Sequence, residues 1–452
     1  MDKDEISNEL LAEIKAVKNS AKQELDSWQK QLRNAKKGEK YYAEILFPPG
    51  INVISFENLS ELGLKIIKKN DQPNLFLITG TPNKAGSFEI PFKFLATGYR
   101  ASLLNNLYYY YKDKISSLIQ THVFTLLVNP DPRDLWKNIP TDENIIYFKK
   151  DFDSQLLGAN GHILLGASQR GRSHAHTGLP RDDDFCLDYV DGWHILAVAD
   201  GAGSAKFSRQ GSKLACEATL RTCRELLDSH DSLNELFNNI NAQTNPTLWK
   251  KRAEKYLYHI LPASVSEARK AIRAVASENG HQFRDYATTL LIAVTKKFRH
   301  GWVVVSFQIG DGAMAMFHAD TATLLAEPDE GEFGGQTRFI TMDGMMENES
   351  LMRRLHIDFV PDLQGICLMT DGVSDAKFST LANLQEPSLW QELKRELDSI
   401  AISADAEDRL LNWLQFWSQG NHDDRTIAIL KVSPPRAISQ ARQIAVPAIW
   451  NK

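Results

Sequence analysis

The sequence predicts an α+β protein in which a β-rich N-terminal part precedes a larger part of mixed strands and helices. Three observations carry that expectation. Apolar runs stop abruptly at Asp-Gly pairs: His194 to Ala199 at Asp200-Gly201, Val303 to Ile309 at Gly310-Asp311-Gly312, and Gly365 to Thr370 at Asp371-Gly372. Around them, Ser208 to Leu227, Ala263 to Val275, Pro387 to Ile400 and Asp405 to Gln419 carry apolar residues at helical spacing. From Tyr41 to about Pro130 the texture is instead short β-like runs, with turn residues between most of them at intervals that suit a β-sandwich.

A length of 452 residues is a soft prior for two or three domains, and 43% hydrophobic with 24% charged residues suits a globular chain with substantial cores. A net charge of -5 and a pI near 6.2 give no electrostatic footing for nucleic acid. No apolar run reaches membrane-spanning length, and Met1-Asp-Lys-Asp-Glu5 lacks the basic start and apolar core of a secretory signal, so no membrane partner and a cytoplasmic location are expected. Cys186, Cys216, Cys223 and Cys367 lie in mostly apolar contexts without zinc-ligand spacing and read as buried thiols.

Residues 1–40 form a first segment in which positions 5–38 read as one amphipathic helix. Leu10, Ile14, Val17, Ala21, Leu25, Trp28 and Leu32 follow steps of four and three, close to a heptad seam, and Lys36-Lys37-Gly38 supplies a stop. Such a helix alone is marginal in water. The stripe therefore needs a partner: the protein's own body, or a second helix in a dimeric or heteromeric coiled coil.

Residues 41–150 comprise the β-sandwich and a linker. The strands are read at Ala43 to Phe47, Leu62 to Ile67, Asn74 to Thr79, Phe88 to Leu95 and His122 to Val128. The piece from Thr79 to Ile90, with Gly80-Thr81-Pro82 and Ala85-Gly86, resembles a hairpin of immunoglobulin-like domains in bacterial proteins. Ala101 to Ile119, which contains tyrosines 108 to 111, reads as a helical insertion whose tyrosines serve either core packing or a binding surface. The turn-rich stretch from Asn129 to Asn144 marks the linker.

Residues 151–435 hold the chemistry. The strand His162 to Ser168 opens the domain. Phe185 to Val190 and His194 to Ala199 form a hairpin across Asp191-Gly192, which makes that pair a turn; Asp343-Gly344 reads as a turn as well. Asp200, Asp311 and Asp371 each stand at a strand end, and Asp423-Asp424 lead into the strand Thr426 to Val432. Aspartates gathered at strand ends repel and raise one another's pKa unless cations neutralise them. Hard divalent ions such as Mg2+ or Mn2+, with carboxylate, carbonyl and water oxygens, are the simplest solution. The tail 436–452 reads as loosely structured, although Ile444 to Trp450 is apolar enough to dock.

The ordered set Arg181-Asp-Asp183-Asp-Phe185, Asp200-Gly-Ala-Gly-Ser204, Tyr286-Ala-Thr-Thr-Leu290, Gly310-Asp-Gly312, Thr370-Asp-Gly372 and Asp423-Asp-Arg-Thr426 resembles the PPM-type, metal-dependent Ser/Thr protein phosphatases, the protein phosphatase 2C family, in its bacterial branch. The resemblance spans about residues 160 to 433 and implies a four-layer αββα sandwich. It implies two Mn2+ or Mg2+ ions and a third, weaker one. Asp200 would bridge two ions, with Asp183 close to a metal and its waters, the Gly201 carbonyl on one ion, and Asp371 and Asp423 on the other; Asp311, Asp375 and Asp371 would form the weaker site. Asp182 takes the place of a supporting Glu or Gln, and Asp424 stands where many relatives carry Asn. The family's phosphate-gripping Arg is replaced by Gly178, for which Arg172, His174 and His176 are substitutes, His174 foremost because the bacterial branch often has Ser-His there. Thr288 and Thr289 resemble a motif packed beneath the site. Glu327 to Thr337 corresponds to a flap that helps select substrates, with Gly334-Gly335 as flexing points, or is simply an acidic surface loop.

The implied function is a phosphoprotein phosphatase acting on Ser/Thr, in which a metal-bridging water attacks phosphorus in line. A phosphoprotein substrate and a cognate Ser/Thr kinase are the implied partners, with oligomerisation through the N-terminal helix as a further expectation. Two alternatives stand beside it: a pseudophosphatase or phosphoprotein-binding scaffold of the same fold, and a scaffold whose main work is done by residues 1–150.

Overall fold

The structure is a computed structural model that describes residues 3–28, 32–57, 59–70, 72, 74–96, 119–227, 235, 251, 255–299, 301–329 and 337–432. The expected helical insertion with its tyrosines, the glycines at 334 and 335, and the C-terminal tail lie outside the described residues. The chain divides into two compact units, Met1–Trp136 and Lys137–Lys452. No helix among the described residues is long and apolar enough to cross a membrane.

The first unit runs α1 (Lys3–Ser27), β1 (Ala35–Lys36), β2 (Tyr41–Leu46), β3 (Ile51–Phe56), β4 (Leu64–Lys68), β5 (Leu75–Gly80), β6 (Gly86–Ala96) and β7 (Ile119–Asn129). One sheet has the order β1-β7-β6-β3 and the other β2-β5-β4. Their inward residues share one core; in β2, Tyr41, Ala43 and Ile45 are buried while Tyr42, Glu44 and Leu46 are exposed, the period-two alternation of a half-buried strand. Strand β3 is absent from the sequence reading, although Ile51 and Val53 alternate inward after Pro48-Pro49-Gly50.

The N-terminal helix is shorter than expected. It ends at Ser27, and Ala35 and Lys36, placed in the helix by the sequence reading, instead extend the sheet beside Val128 and Asn129 of β7. Ala35 is buried by that pairing, so sheet hydrogen bonds and core contact outweigh local helix preference. Val17, Ala21, Leu25, Trp28 and Leu32 all pack into the unit's own core, and Trp28 stacks on Phe47 at 4.7 Å between ring centroids. The body of the unit is the partner of this part of the stripe.

The second unit runs β8 (Phe152–Ala159), β9 (His162–Gln169), α2 (Arg172–Thr177), β10 (Asp184–Val190), β11 (Trp193–Ala199), α3 (Ser208–Leu227), α4 (Ile260–Glu278), β12 (Leu290–Phe298), β13 (Gly301–Ile309), β14 (Ala313–Phe317), β15 (Ala322–Leu324), α5 (Asn348–Arg354), β16 (Leu355–Val360), β17 (Gly365–Met369), α6 (Asp371–Lys377), α7 (Leu381–Leu384), α8 (Pro387–Ala401), α9 (Ala406–Leu414) and β18 (Arg425–Val432). It begins earlier than the sequence suggests. Ile139 donates its N–H to the Ala175 carbonyl at 2.8 Å, Arg170 pairs with Asp151 at 3.0 Å, and Lys149 is buried, so residues 137–150 belong to this unit.

Two antiparallel sheets, β10-β11-β12-β13-β16 and β15-β14-β17-β18-β9-β8, face each other between outer layers of helices. The alternation of β11 sorts its residues between layers. Ile195, Ala197 and Ala199 pack toward α3 and α4, whereas Leu196 and Val198 enter the space between the sheets with Leu291, Ile366, Leu368 and Ala428. The far sheet does the same: Cys367, Met369, Ile427 and Ile429 face Trp390, Leu393 and Leu410 of α8 and α9. The four-layer αββα arrangement thus follows from strands that are apolar on both faces.

The β10–β11 hairpin turns at Asp191 (φ 44°) and Gly192 (φ 83°), with Val190 paired to Trp193. Two positive φ values suit an Asp-Gly hairpin turn. Helix α9 stops at Leu414, before the expected Gln419, because Arg425 takes the carbonyls of Leu414 and Phe416 and Arg172 those of Gln415 and Phe416, side chains replacing helical N–H donors.

Candidate active site

Antiparallel register brings the strand-end acids to one edge of the sandwich. Asp184 pairs with Ala199, Val198 with Leu291, Leu290 with Ile309, Ala313 with Met369, Met369 with Ile427, and Arg425 with Gln169. Each of Asp183, Asp200, Asp311, Asp371 and Asp423 lies just beyond one of these paired residues. Asp200 and Asp183 also continue the parity of the residues between the sheets, Val198 and Phe185.

Oxygens of Asp200, Asp311 and Asp371 all lie within 4.8 Å of one another. The Asp200 corner is fixed through its backbone: its N–H donates to Thr289 Oγ1 at 2.8 Å, and its carbonyl accepts from Thr288 Oγ1 at 2.7 Å and from the Thr289 N–H at 2.8 Å. The two threonines therefore hold the corner and leave the Asp200 carboxylate to the cluster. Asp371 opens α6 behind the N-cap Thr370, whose hydroxyl donates to Asp183 Oδ2 at 2.8 Å. Asp311 accepts from Thr337 through Oδ2, while its buried Oδ1 has no hydrogen-bond partner among the described residues.

Burial, Asp371 and Asp183 push the Asp200 carboxyl well above the usual range, and burial, Asp311 and Asp423 do the same to Asp371. Burial and Asp424 raise Asp183 to about 7. Partial desolvation by the surrounding protein and the Asp424 charge raise Asp423 too, although its side chain reaches the solvent rim; Asp375 lies one turn along α6 from Asp371 and is exposed. The strongest charged neighbours of Asp200 and Asp371 are other carboxylates, the electrostatics of a site made for cations. An orphaned oxygen on Asp311 fits the same donor set of hard oxygens.

The pair Asp423-Asp424 divides its work. Asp424 is buried and its oxygens are occupied: Oδ1 accepts from the Gly171 N–H at 2.6 Å, and Oδ2 from the Asp182 N–H with His174 Nδ1 at 2.9 Å. Burial works to raise its pKa, but His174 and the two backbone donors outweigh it and hold the carboxyl low. Asp423 Oδ1 accepts only a local bond from the Asp424 N–H at 2.8 Å. Although His174, Asp423 and Asp424 lie together, the occupied oxygens of Asp424 make them an ion-paired lock more than a ligand set.

The three substitutes for the missing Arg are engaged elsewhere. His174 Nε2 lies 3.5 Å from Asp182 while Nδ1 holds Asp424, and although burial works against the charged ring, these carboxylates raise its pKa to about 9. Arg172 donates to the Phe416 and Gln415 carbonyls at 3.2 and 3.1 Å and lies over Trp417. His176 Nδ1 accepts the Lys137 N–H at 3.1 Å. Gly178 ends α2 with φ 74°, a left-handed conformation that strains any side-chain-bearing residue, and a Cβ there would meet a methyl of the exposed Ile139 at 2.9 Å.

Several residues escape the sequence reading. Lys149 is buried against Asp184 at 3.0 Å and donates to the Asp183 carbonyl at 2.9 Å, which helps hold Asp184 low against its burial. Arg181 donates to the same carbonyl at 2.6 Å. Asp182 accepts from Arg209 at 3.0 Å and Ser208 at 2.9 Å. Arg209 follows the Asp200-Gly201-Ala202-Gly203-Ser204 loop closely enough to suggest itself, whereas Lys149, in a segment that reads as linker, carries no signal.

A family model described as protein phosphatase 2C matches residues 170–415. None of the curated protein sequences compared with the chain matches it. Among solved structures, the chain is similar to a serine-threonine phosphatase 2C from Toxoplasma gondii at 14% identity and a TM-score of 0.39, over 62% of this chain and 99% of that one. It is also similar to the serine/threonine phosphatase Stp1 from Staphylococcus aureus at 13% identity and a TM-score of 0.37, over 64% of this chain and 96% of that one. With more than half of its length matched by the family model and the acidic strand ends gathered at one edge of a two-sheet sandwich, the chain belongs to the protein phosphatase 2C family.

Proposed function

We propose that the chain hydrolyses phosphomonoesters on serine and threonine side chains of proteins, with Mn2+ or Mg2+ held in the aspartate cluster. The observation that carries this reading is the meeting of Asp200, Asp311 and Asp371 oxygens within 4.8 Å, with one Asp311 oxygen buried and unpaired. Asp183, Asp200, the Gly201 carbonyl, Asp371 and Asp423 are the residues that would hold two ions, and Asp311 and Asp375 with Asp371 a weaker third. Divalent ions bound there supply charge neutralisation for a phosphoryl group and acidify water.

The protein's own groups do the rest. Thr288 and Thr289 keep the Asp200 corner in place, Thr370 ties Asp183 to the start of α6, and the His174–Asp424 pair fastens the Asp423 loop to α2. Such fixed positions lower the reorganisation that phosphoryl transfer requires. His174 is better suited to positioning than to gripping phosphate, because both ring nitrogens face carboxylates. A phosphoprotein substrate, a cognate kinase and a cytoplasmic setting complete the proposal; free buried thiols at Cys186, Cys216, Cys223 and Cys367 agree with a reducing compartment.

The engaged state of Arg172 and His174, together with the left-handed backbone at Gly178, favours a second reading in which the fold binds phosphoproteins and turns them over poorly. One assay separates the two. EDTA should abolish phosphate release from a phosphothreonine peptide and Mn2+ or Mg2+ restore it; metal-replete protein that binds the peptide without releasing phosphate supports the binding module instead.

A further inference from the structure

We propose that a cavity of about 530 Å³ behind the Gly310–Gly312 turn binds a small organic phosphate or phosphonate, at a place separate from the aspartate cluster. Arg338, Arg353 and Arg354 line it, and all three guanidiniums converge on one carboxylate, Asp329, at 3.7, 3.9 and 2.6 Å. Among the described lining residues the acids are Asp329 and Glu327, set against the three guanidiniums.

Two lining side chains have buried polar atoms without a partner. Arg354 is 4% exposed; it spends Nε on Asp329 and Nη1 on Ser350, and its Nη2 has no hydrogen-bond partner among the described residues. Gln308 is 1% exposed; its Nε2 donates to the Gly310 and Gly312 carbonyls at 3.0 and 2.7 Å, which fixes the amide orientation and leaves Oε1 without a partner among the described residues. Buried polar groups left unpaired are costly, and a donor and an acceptor both unpaired in one cavity mark where a ligand's groups belong. Arginine forks match the tetrahedral oxygens of a phosphate-class anion. Leu324, Leu381 and Leu384 form an apolar wall of the same cavity, which suits an apolar body attached to that anion.

Among the described residues, the cavity meets the turn of the aspartate cluster through hydrogen bonds to the turn's backbone. Besides the Gln308 amide, the Asp329 N–H donates to the Gly310 carbonyl at 2.9 Å, so the cavity is built against the turn that carries Asp311. The site goes beyond the phosphatase reading and does not depend on it.

The test is calorimetric titration of the full chain, freed of metal with EDTA, with phenylphosphonate and separately with inorganic phosphate. In metal-free protein the aspartate cluster repels a dianion, so binding reports the arginine cavity. The expected result is saturable binding of one phenylphosphonate, tighter than inorganic phosphate, weakened about tenfold by Arg353→Gln and unchanged by Asp371→Asn. Arg353 is largely solvent-exposed, which keeps this variant foldable where Arg354→Gln risks failing to fold. Absence of saturable binding, binding undiminished in Arg353→Gln, or binding lost in Asp371→Asn overturns the site; equal affinity for the two ligands overturns the role of the apolar wall.

Discussion

His174 Nδ1 lies 2.9 Å from Asp424 Oδ2, and the same imidazole reaches Asp182 with its other nitrogen at 3.5 Å. A single ring on α2 thus sits between two buried carboxylates from distant parts of the chain, next to the rim where Asp423 stands.

Removing that ring should leave Asp182 and Asp424 buried side by side with less compensation. His174→Ala is expected to cost about 3 kcal/mol of stability, read by urea unfolding of the metal-free protein. Unchanged unfolding together with a raised KM would return His174 to the substrate side of the site.

Asp371 and Asp191 both precede glycine, yet they belong to different environments. Asp371 lies in the carboxylate cluster, whereas Asp191 sits in a hairpin turn and pairs with Lys296 at 2.9 Å. Asp371→Asn should lower metal-supported phosphopeptide turnover by roughly a hundredfold, about 3 kcal/mol of barrier, and Asp191→Asn by less than about twofold. Equal losses in steady-state assays would erase the distinction. Without metal, Asp371→Asn should raise the melting temperature, because one of several mutually repelling buried charges is gone.

Gly372 lets α6 approach the strand that follows the Asp423 loop. A Cβ there would overlap the Asp424 carbonyl oxygen. Gly372→Ala should therefore cost about 1–3 kcal/mol through forced backbone movement, with metal-dependent turnover falling too; chemical denaturation that matches the parent protein would show that the loop yields freely.

His194 contributes one pH dependence of stability. Burial and the neighbouring His162 lower its pKa from 6.5 to about 4. The folded state then binds fewer protons than the unfolded state between those values, so this contribution to stability is present above about 6.5 and is lost as pH falls toward 4. Between pH 7 and 5 it amounts to roughly 2 kcal/mol. Unfolding free energy should fall more steeply with acid in the parent than in His194→Gln, and parallel pH profiles would contradict the assignment.

Much of the site is visible in the linear chain because strands that are apolar on both faces must stop where a charge appears. Ala199-Asp200, Ile309 to Asp311 and Thr370-Asp371 show this directly, and the Asp191-Gly192 hairpin follows from its local turn chemistry. The end of α1 is not visible in this way. Ala35 lies in a strand paired with Val128, far along the chain, a partner that the local pattern does not reveal. The same holds for Lys149, whose segment reads as linker until Asp183 and Asp184 surround it.

The order of acids, their places at strand ends and the helix-strand texture of residues 151–435 are properties of the amino-acid pattern, set by burial and side-chain periodicity that act over a few residues. Which acid is left open to a cation is not. Asp424 is occupied because backbone N–H groups of Gly171 and Asp182 point at it, Asp423 is not, and His174 is drawn to carboxylates rather than held free for phosphate. Those outcomes depend on groups that only the packed sheets bring within hydrogen-bonding distance, and hydrogen bonding is decided over a few tenths of an ångström that no sequence spacing encodes.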